Sequence, residues 1–398
     1  MERTGRDAGG AAAPEIVSSD PESFPWSVWH DRHPGLFRKI LDGTPYGPPE
    51  RRALEALLAE TLDGAIEPLP DDAHDRAAWH GAWDRGHYGK RWTDAPFLWA
   101  ESYFYRRLRE AAGYYAAGPW RGVDPFAPLK DAELAGDAVR GELAALDRVA
   151  ELSGEERTDA LLHASLWGNR ADLGFRITAG ETGGGDTDSL VADDRAALHA
   201  LLRAAGRIPG RVVVVADNAG RELIPDLILI DHLFAMGTAT EVVLQVKPHP
   251  YYVSDATMAD VLAGLRRLLR APGRAGETGR RLWEAVGAGR LVVRAHPFSC
   301  APLAYADMPA DLRADFAPAA LTVLKGDLNY RRLVGDREWP AGTPFEEVTG
   351  YFPQPVVALR TLKSDVVTGL GRKAVQALDA TGEPWRTNGS RALVQVRP

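Results

Sequence analysis

Two patterns of apolar residues divide the chain. In the first half they recur at helical spacing. Leu54, Leu57, Leu58 and Leu62 form one stripe behind a proline-marked start at Pro49, and Leu143, Leu146 and Val149 form another. Ser153 with Glu156 makes a capping box for a helix running through Leu161 and Leu162. The second half changes to short continuous runs: RVVVVA from Arg211, then Val242 to Val246, Leu321 to Leu324 and Val356 to Leu359. Runs of this length, rich in β-branched residues, read as strands buried on both faces, which are usually parallel members of an α/β sheet. The expected fold is α/β, a mainly parallel sheet flanked by helices in an α/β/α sandwich with an N-terminal helical region. Residues 1–24 lack periodicity and are rich in Gly, Ala, Ser and charge, so they read as a disordered tail. Residues 25–179 then form the helical region and residues 180–398 the α/β core. The segment GETGGGDTDS over residues 180–189 lacks the Lys-Ser/Thr of a P-loop and reads as a flexible connector.

Each apolar run stops at a polar cluster. The first ends in Asp217 and Asn218, the second passes through KPHPYY to Ser254 and Asp255, the third ends in KGDLNYR and the fourth in RTLK. Ligands of parallel sheets sit just past the carboxyl ends of the strands, so one end of this sheet is chemically loaded. Asp217 and Asn218 offer hard oxygens suited to a divalent metal or a polar substrate, although Asp-Asn also makes ordinary turns. Asp255 follows Ser254, a good N-cap before the helical repeat Met258, Val261, Leu262, Leu265 and Leu269, so capping alone accounts for it equally well.

The motifs DNAGRE, KPHPYYVSD, KGDLNYRRL and RTLK, in that order, together with upstream SLWGNRADL and FLWAESYFYRRL, resemble the metal-dependent damage-control phosphatases, in the subfamily (III) marked by Arg-Thr-x-Lys. The similarity runs from about Trp26 to the C-terminus. The resemblance implies that Asp217, Asn218 and Asp255 bind a divalent cation (Mn²⁺, Ni²⁺, Co²⁺ or Mg²⁺). It also implies that Asp327, Leu328, Asn329, Tyr330 and Arg331 bind substrate and that Lys363 meets its phosphate. Glu222 matches an acidic position of the first motif, and Asn169 falls in the matching WGN segment. The implied substrates are small sugar phosphates, fructose phosphates in particular, and the implied role is removal of harmful phosphometabolites.

The residue types meet the needs of phosphate-ester hydrolysis independently. It requires a cation for the transferring oxygens, basic side chains to clamp them and an oriented water. Two carboxylates and an amide make a sparse oxygen site, and Lys363 and Arg331 stay charged near neutrality. Either Glu222 or Asp255 could orient the water.

Composition narrows the alternatives. A formal net charge of -8 argues against a broad nucleic-acid or anionic-membrane surface, and no apolar stretch approaches the roughly 20 residues that span a bilayer. A cytoplasmic location is expected, and oligomeric state is left open. The single cysteine, Cys300, excludes an internal disulfide and a Cys-rich zinc site, and core packing is its expected role. Arg106 and Arg107 read as a solvated helix face, with a lid role the alternative. His249 and His296 precede prolines and read as parts of rigid turns. An S-adenosylmethionine-dependent carboxyl methyltransferase is disfavoured because ADNAGRE stands where a Gly-rich cofactor loop would follow the first strand. A non-catalytic phosphosugar-binding protein is the remaining alternative, and no D-x-D-x-T/V motif supports covalent aspartyl chemistry.

Overall fold

A computed structural model describes residues 13–168, 189–208 and 210–398. Among them, seven strands form one sheet: β1 (Leu190–Asp193), β2 (Gly210–Val215), β3 (Ala239–Val246), β4 (Leu291–Ala295), β5 (Ala319–Lys325), β6 (Val356–Thr361) and β7 (Ala392–Arg397). Their spatial order is β1-β7-β6-β5-β2-β3-β4. β4, β3, β2, β5 and β6 are mutually parallel, while β7 runs antiparallel to β6 and pairs in parallel with β1. The four apolar runs are β2, β3, β5 and β6, four of the five inner strands, with β7 the fifth.

Side chains on a strand alternate between its faces, and here the two faces feed two cores. Val213, Val215, Val243, Leu324 and Ala358 join a cluster with Trp29, Phe37, Trp92, Phe97 and Phe104 of the N-terminal helices. Val212, Val214, Val242, Leu244 and Val357 join the other, with Leu143, Leu146, Leu161, Leu162 and the helices Leu223–Ala235, Met258–Leu269 and Gly273–Gly287. The helical half is therefore not one packing unit. Helices up to Phe97–Ala111 cover one face of the sheet, while Asp137–Val149 and Gly154–Trp167 belong to the opposite layer. Periodicity reveals an apolar stripe but not which surface it meets.

The tail also departs from expectation where it is described. Ile16 and Ser18 are buried, Phe97 N donates to Ile16 O at 2.8 Å, Ser18 N donates to Thr93 O at 3.0 Å, and Trp29 Nε1 donates to Ser18 Oγ at 3.0 Å. Backbone partners, which composition does not reveal, hold residues 13–24 against the helices. Residues 1–12 and 169–188 lie outside the described residues, and with them Asn169 and nearly all of the Gly-rich connector.

Arg106 is a second departure. It is 1% exposed and gives two hydrogen bonds to Asp75 (2.7 and 2.8 Å) and one to Glu110 (2.6 Å), so it belongs to a buried ion-pair network and not to a solvated face. The Ser153–Glu156 capping box forms as the spacing predicts, and Cys300 is buried.

Candidate active site

The sheet order reverses between β2 and β5. From β2 the chain proceeds outward through β3 to β4 on one side, and from β5 to β6 on the other. Such a reversal leaves a crevice beyond the strand ends because the two connections diverge there. A cleft of about 530 Å³ opens there, lined by Asp217 and Asn218 after β2, Ser254 and Asp255 after β3, Asp327 after β5 and Lys363 after β6.

The floor of this cleft is assembled by interlocked loops. Asn218 and Asp255 form an isolated backbone bridge, with Ala219 N donating to Ser254 O at 2.6 Å and Ala256 N to Asp217 O at 2.9 Å. Side chains repeat the lock. Ser254 Oγ donates to Asn218 Oδ1 (2.7 Å), and Asn218 Nδ2 donates to Asp217 Oδ2 (3.2 Å) and Glu222 Oε2 (3.0 Å). Tyr252 N donates to Asp255 Oδ2 at 2.7 Å. Ser254 is thus not the expected N-cap. The helix begins at Met258, where Thr257 and Asp260 form the capping box, and that frees Asp255 from any capping duty.

Gly326 fixes the depth of Asp217. It has φ +84°, and a Cβ there would fall 1.8 Å from Asp217 Oδ2, so the carboxylate occupies space that only glycine leaves. Burial first, then the charges of Glu222 and Asp255, push the Asp217 carboxyl well above the usual range, with Lys363 and Lys247 opposing. Lys363 Nζ lies 3.5 Å from Glu222 Oε1. Burial lowers its pKa, but Glu222, Asp217 and Asp327 outweigh burial and hold it above the ordinary lysine value.

This donor set fits a divalent cation. Asp217, Asp255 and the Asn218 amide oxygen line the cleft as hard donors, and Glu222 adds its charge beside Asn218, an excess of negative charge that a hard cation would offset. Among the described residues no group of three or more His, Cys, Asp or Glu side chains is arranged as a metal site. The two carboxylates and amide make a sparser set, the kind that leaves room for water and substrate.

The DLNYR segment divides. Asp327 lines the cleft, and its Oδ1 accepts from Arg360 Nε (2.8 Å), Lys363 N (3.0 Å) and Ser364 Oγ (3.1 Å). Arg360, the first residue of RTLK, is fully buried and holds Asp327 in place, a role the sequence did not signal. Leu328 lines the cleft. Asn329 turns away, donating to Ala216 O (3.0 Å) and Lys325 O (2.8 Å) and so tying the ends of β2 and β5 together. Tyr330 is buried, its hydroxyl among Thr368 and Gln395. Both are corrections to the expected substrate contacts, since on the helix Gly326–Val334 successive residues point about 100° apart and only one face meets the cleft. Arg331 lines the cleft but is not a free cation: it gives two bonds to Asp336 (2.8 and 2.9 Å) and one to Glu101 (2.9 Å).

The opposite wall comes from the N-terminal helices. Arg32, Leu36 and Lys39 face the cleft with Phe97, Glu101 and Tyr105. Burial raises the Glu101 carboxyl above its ordinary value against the pull of Arg331. These residues lie more than 100 positions before the strand-end motifs; Phe97, Glu101 and Tyr105 fall in the FLWAESYFYRRL segment, whereas Arg32, Leu36 and Lys39 fall in none of the motifs.

Fold and crevice define an α/β protein with a mainly parallel sheet and a cleft at its switch point. A solved DUF89 family protein from Pyrococcus horikoshii superposes with a TM-score of 0.50 and 15% identity, covering 92% of this chain and 96% of that one, a likeness of fold alone. The family model described as the damage-control phosphatase ARMT1-like domain matches residues 28–378. Relatives named damage-control phosphatase ARMT1 are 30% identical in Danio rerio (98% of each chain), 31% in Mus musculus (97% of this chain, 99% of the relative) and 30% in Homo sapiens (97% and 99%). The chain belongs to the damage-control phosphatase ARMT1-like family, and it is a phosphatase. No helix among the described residues is long and apolar enough to cross a membrane.

Proposed function

We propose that the chain is a divalent-metal-dependent phosphomonoesterase acting on small sugar phosphates, fructose phosphates among them. The observation that carries this reading is the crowding of Asp217, Asn218, Asp255 and Lys363 at the switch point, with Asp217 seated against Gly326. Asp217, Asn218 and Asp255 would hold the cation. When bound, Mn²⁺, Ni²⁺, Co²⁺ or Mg²⁺ would neutralise phosphoryl oxygens and lower the pKa of water.

The protein's own part is positioning and charge. Lys363 projects its ammonium toward the phosphate oxygens and stays protonated because carboxylates surround it. Glu222 holds Asn218 through one oxygen and Lys363 through the other, so it works as a positioning residue for both. Asp327, aimed by Arg360, is suited to accept from sugar hydroxyls, and the aromatic wall restricts water around the ester. In-line attack by water on phosphorus then forms the new P–O bond as the sugar oxygen leaves. The DNAGRE turn after β2 leaves no Gly-rich cofactor loop, so nothing favours the methyltransferase alternative.

A phosphate-release screen over phosphosugars with Mg²⁺, Mn²⁺, Co²⁺ and Ni²⁺ tests this. Turnover is expected with at least one ion and lost in excess chelator, and Asp217→Ala and Asp255→Ala are expected to be inactive yet folded. Undiminished turnover in chelator would overturn the metal assignment.

A further inference from the structure

The cleft holds four cationic side chains, and they differ in how they are engaged. Arg331 is saturated by Asp336 and Glu101, and Lys363 lies against Glu222. Arg32 and Lys39 form no ion pair with any described residue, and both are exposed and line the cleft from the N-terminal helices. Val28, Arg32, Leu36 and Lys39 all line the cleft, and spacings of four, four and three residues are those of a single helical face. One continuous stripe, apolar at its start and centre and cationic at two positions, therefore looks across the crevice. The Arg32 guanidinium lies 5.9 Å from the Phe24 ring and, after Arg331, opposes the burial that raises the Glu101 carboxyl, without bonding to it. Lys39 exerts the same pull on Glu133.

Lys363 and a cation already meet the scissile phosphate, and Arg32 and Lys39, which have only the longer-range fields of Glu101 and Glu133 and the neighbouring Asp31 near them, are left to meet a second negative group on the ligand. We infer that Arg32 and Lys39 form a second anion subsite, which selects phosphate esters carrying an additional phosphate or carboxylate group remote from the scissile one. The cleft, at about 530 Å³, is within the range of about 300–1,000 Å³ that encloses whole small ligands. The inference rests on the phosphatase reading above and deepens it by naming the substrate class.

The test compares the intact metal-loaded enzyme with the double variant Arg32→Gln/Lys39→Gln on fructose 1,6-bisphosphate, fructose 1-phosphate and 6-phosphogluconate. Wild type is expected to favour the bisphosphate over the monophosphate by about ten-fold or more in kcat/KM, the scale of one charge-assisted hydrogen bond, and the double variant to lose that preference. A matching preference for 6-phosphogluconate would mean that the subsite reads charge, and its absence would mean that it reads phosphate; each supports the subsite. Equal ratios in the two enzymes, or an equal loss on every ester, would overturn it. Calorimetric binding of the same ligands to both proteins separates the two ideas. If wild type hydrolyses none of the esters, the sugar-phosphate reading fails, while tighter binding of the bisphosphate that disappears in the variant still upholds the subsite.

Discussion

The floor and the wall of the cleft are built on opposite principles. On the floor, charged and amide groups are tied across strand ends: Asn218 by Ser254, Asp327 by Arg360, and Lys363 by Glu222, which also holds Asn218 of its own loop. On the wall, aromatic packing fixes the backbone, while Arg32 and Lys39 reach out without ion-pair partners among the described residues. Groups that must meet a transition state benefit from such preorganisation, because no reorganisation is then needed during reaction. Groups that sort ligands need only present charge at the right place.

The sharpest way to break the floor is Gly326→Ala. The added methyl would collide with Asp217 at a backbone conformation that L-residues avoid, a strain of about 1–3 kcal/mol before the clash is counted. Phosphate release is expected to vanish, with a fall in Tm by scanning calorimetry. Wild-type turnover would show that Asp217 need not sit where it does.

Arg331 and Lys363 carry the same formal charge in the same cleft, and their substitution should separate two kinds of cation. Arg331→Met leaves Asp336 and Glu101 buried without their partner, which costs about 3–5 kcal/mol of stability in chemical denaturation. Lys363→Met is expected to spare stability and to remove about 2–4 kcal/mol of transition-state stabilisation, read as kcat/KM. If the two variants behave alike, the distinction between structural and reactive cations fails.

The smallest effect belongs to the wall and depends on pH. His33 is buried, stacks on Phe104 at 3.9 Å, and has no hydrogen-bond partner among the described residues for either ring nitrogen. Burial, helped by Arg32, lowers its pKa from 6.5 to about 3. Below pH 6.5 the unfolded chain takes up a proton that the folded chain refuses. This group's stability contribution is therefore present above 6.5 and is lost as pH falls toward 3, by up to about 1.4 kcal/mol per unit. His33→Phe should keep the stack and remove about 2 kcal/mol of acid sensitivity between pH 7 and 5. Denaturant titrations at both pH values check it, and identical pH dependence in the two proteins would contradict it.

The floor was more legible in the sequence than the wall, for a physical reason. A buried parallel strand announces itself as an apolar run, and the first polar residue after it marks the sheet's reactive edge; Asp217, Asp327 and Lys363 were found that way or through motifs anchored there. Within the helix after β5 the same logic overreached. Asn329 and Tyr330 share a motif with Asp327, yet helical rotation turns them into the interior. Arg32 and Lys39 gave no signal, because a charged residue on a helix facing a cleft reads in one dimension like one facing solvent. Ser254 illustrates a third limit: a good capping residue was better used to hold Asn218, and Thr257 took the cap.

The placement of β7 sets the order in which this molecule can be completed during synthesis. β1 pairs with β7, and the Asp194 carboxylate accepts from Val396 N across 202 positions. At about 5–20 residues per second, the ribosome needs roughly 10 to 40 s to supply that partner. Through that interval the β1 segment has no sheet to join, although β2, β3 and β5 can already associate. The nascent chain thus carries an unpaired strand late into translation, and long-range pairing of this kind slows folding and favours misassociation. Slowing elongation near the codons for β7 should lengthen the exposure without altering the finished enzyme.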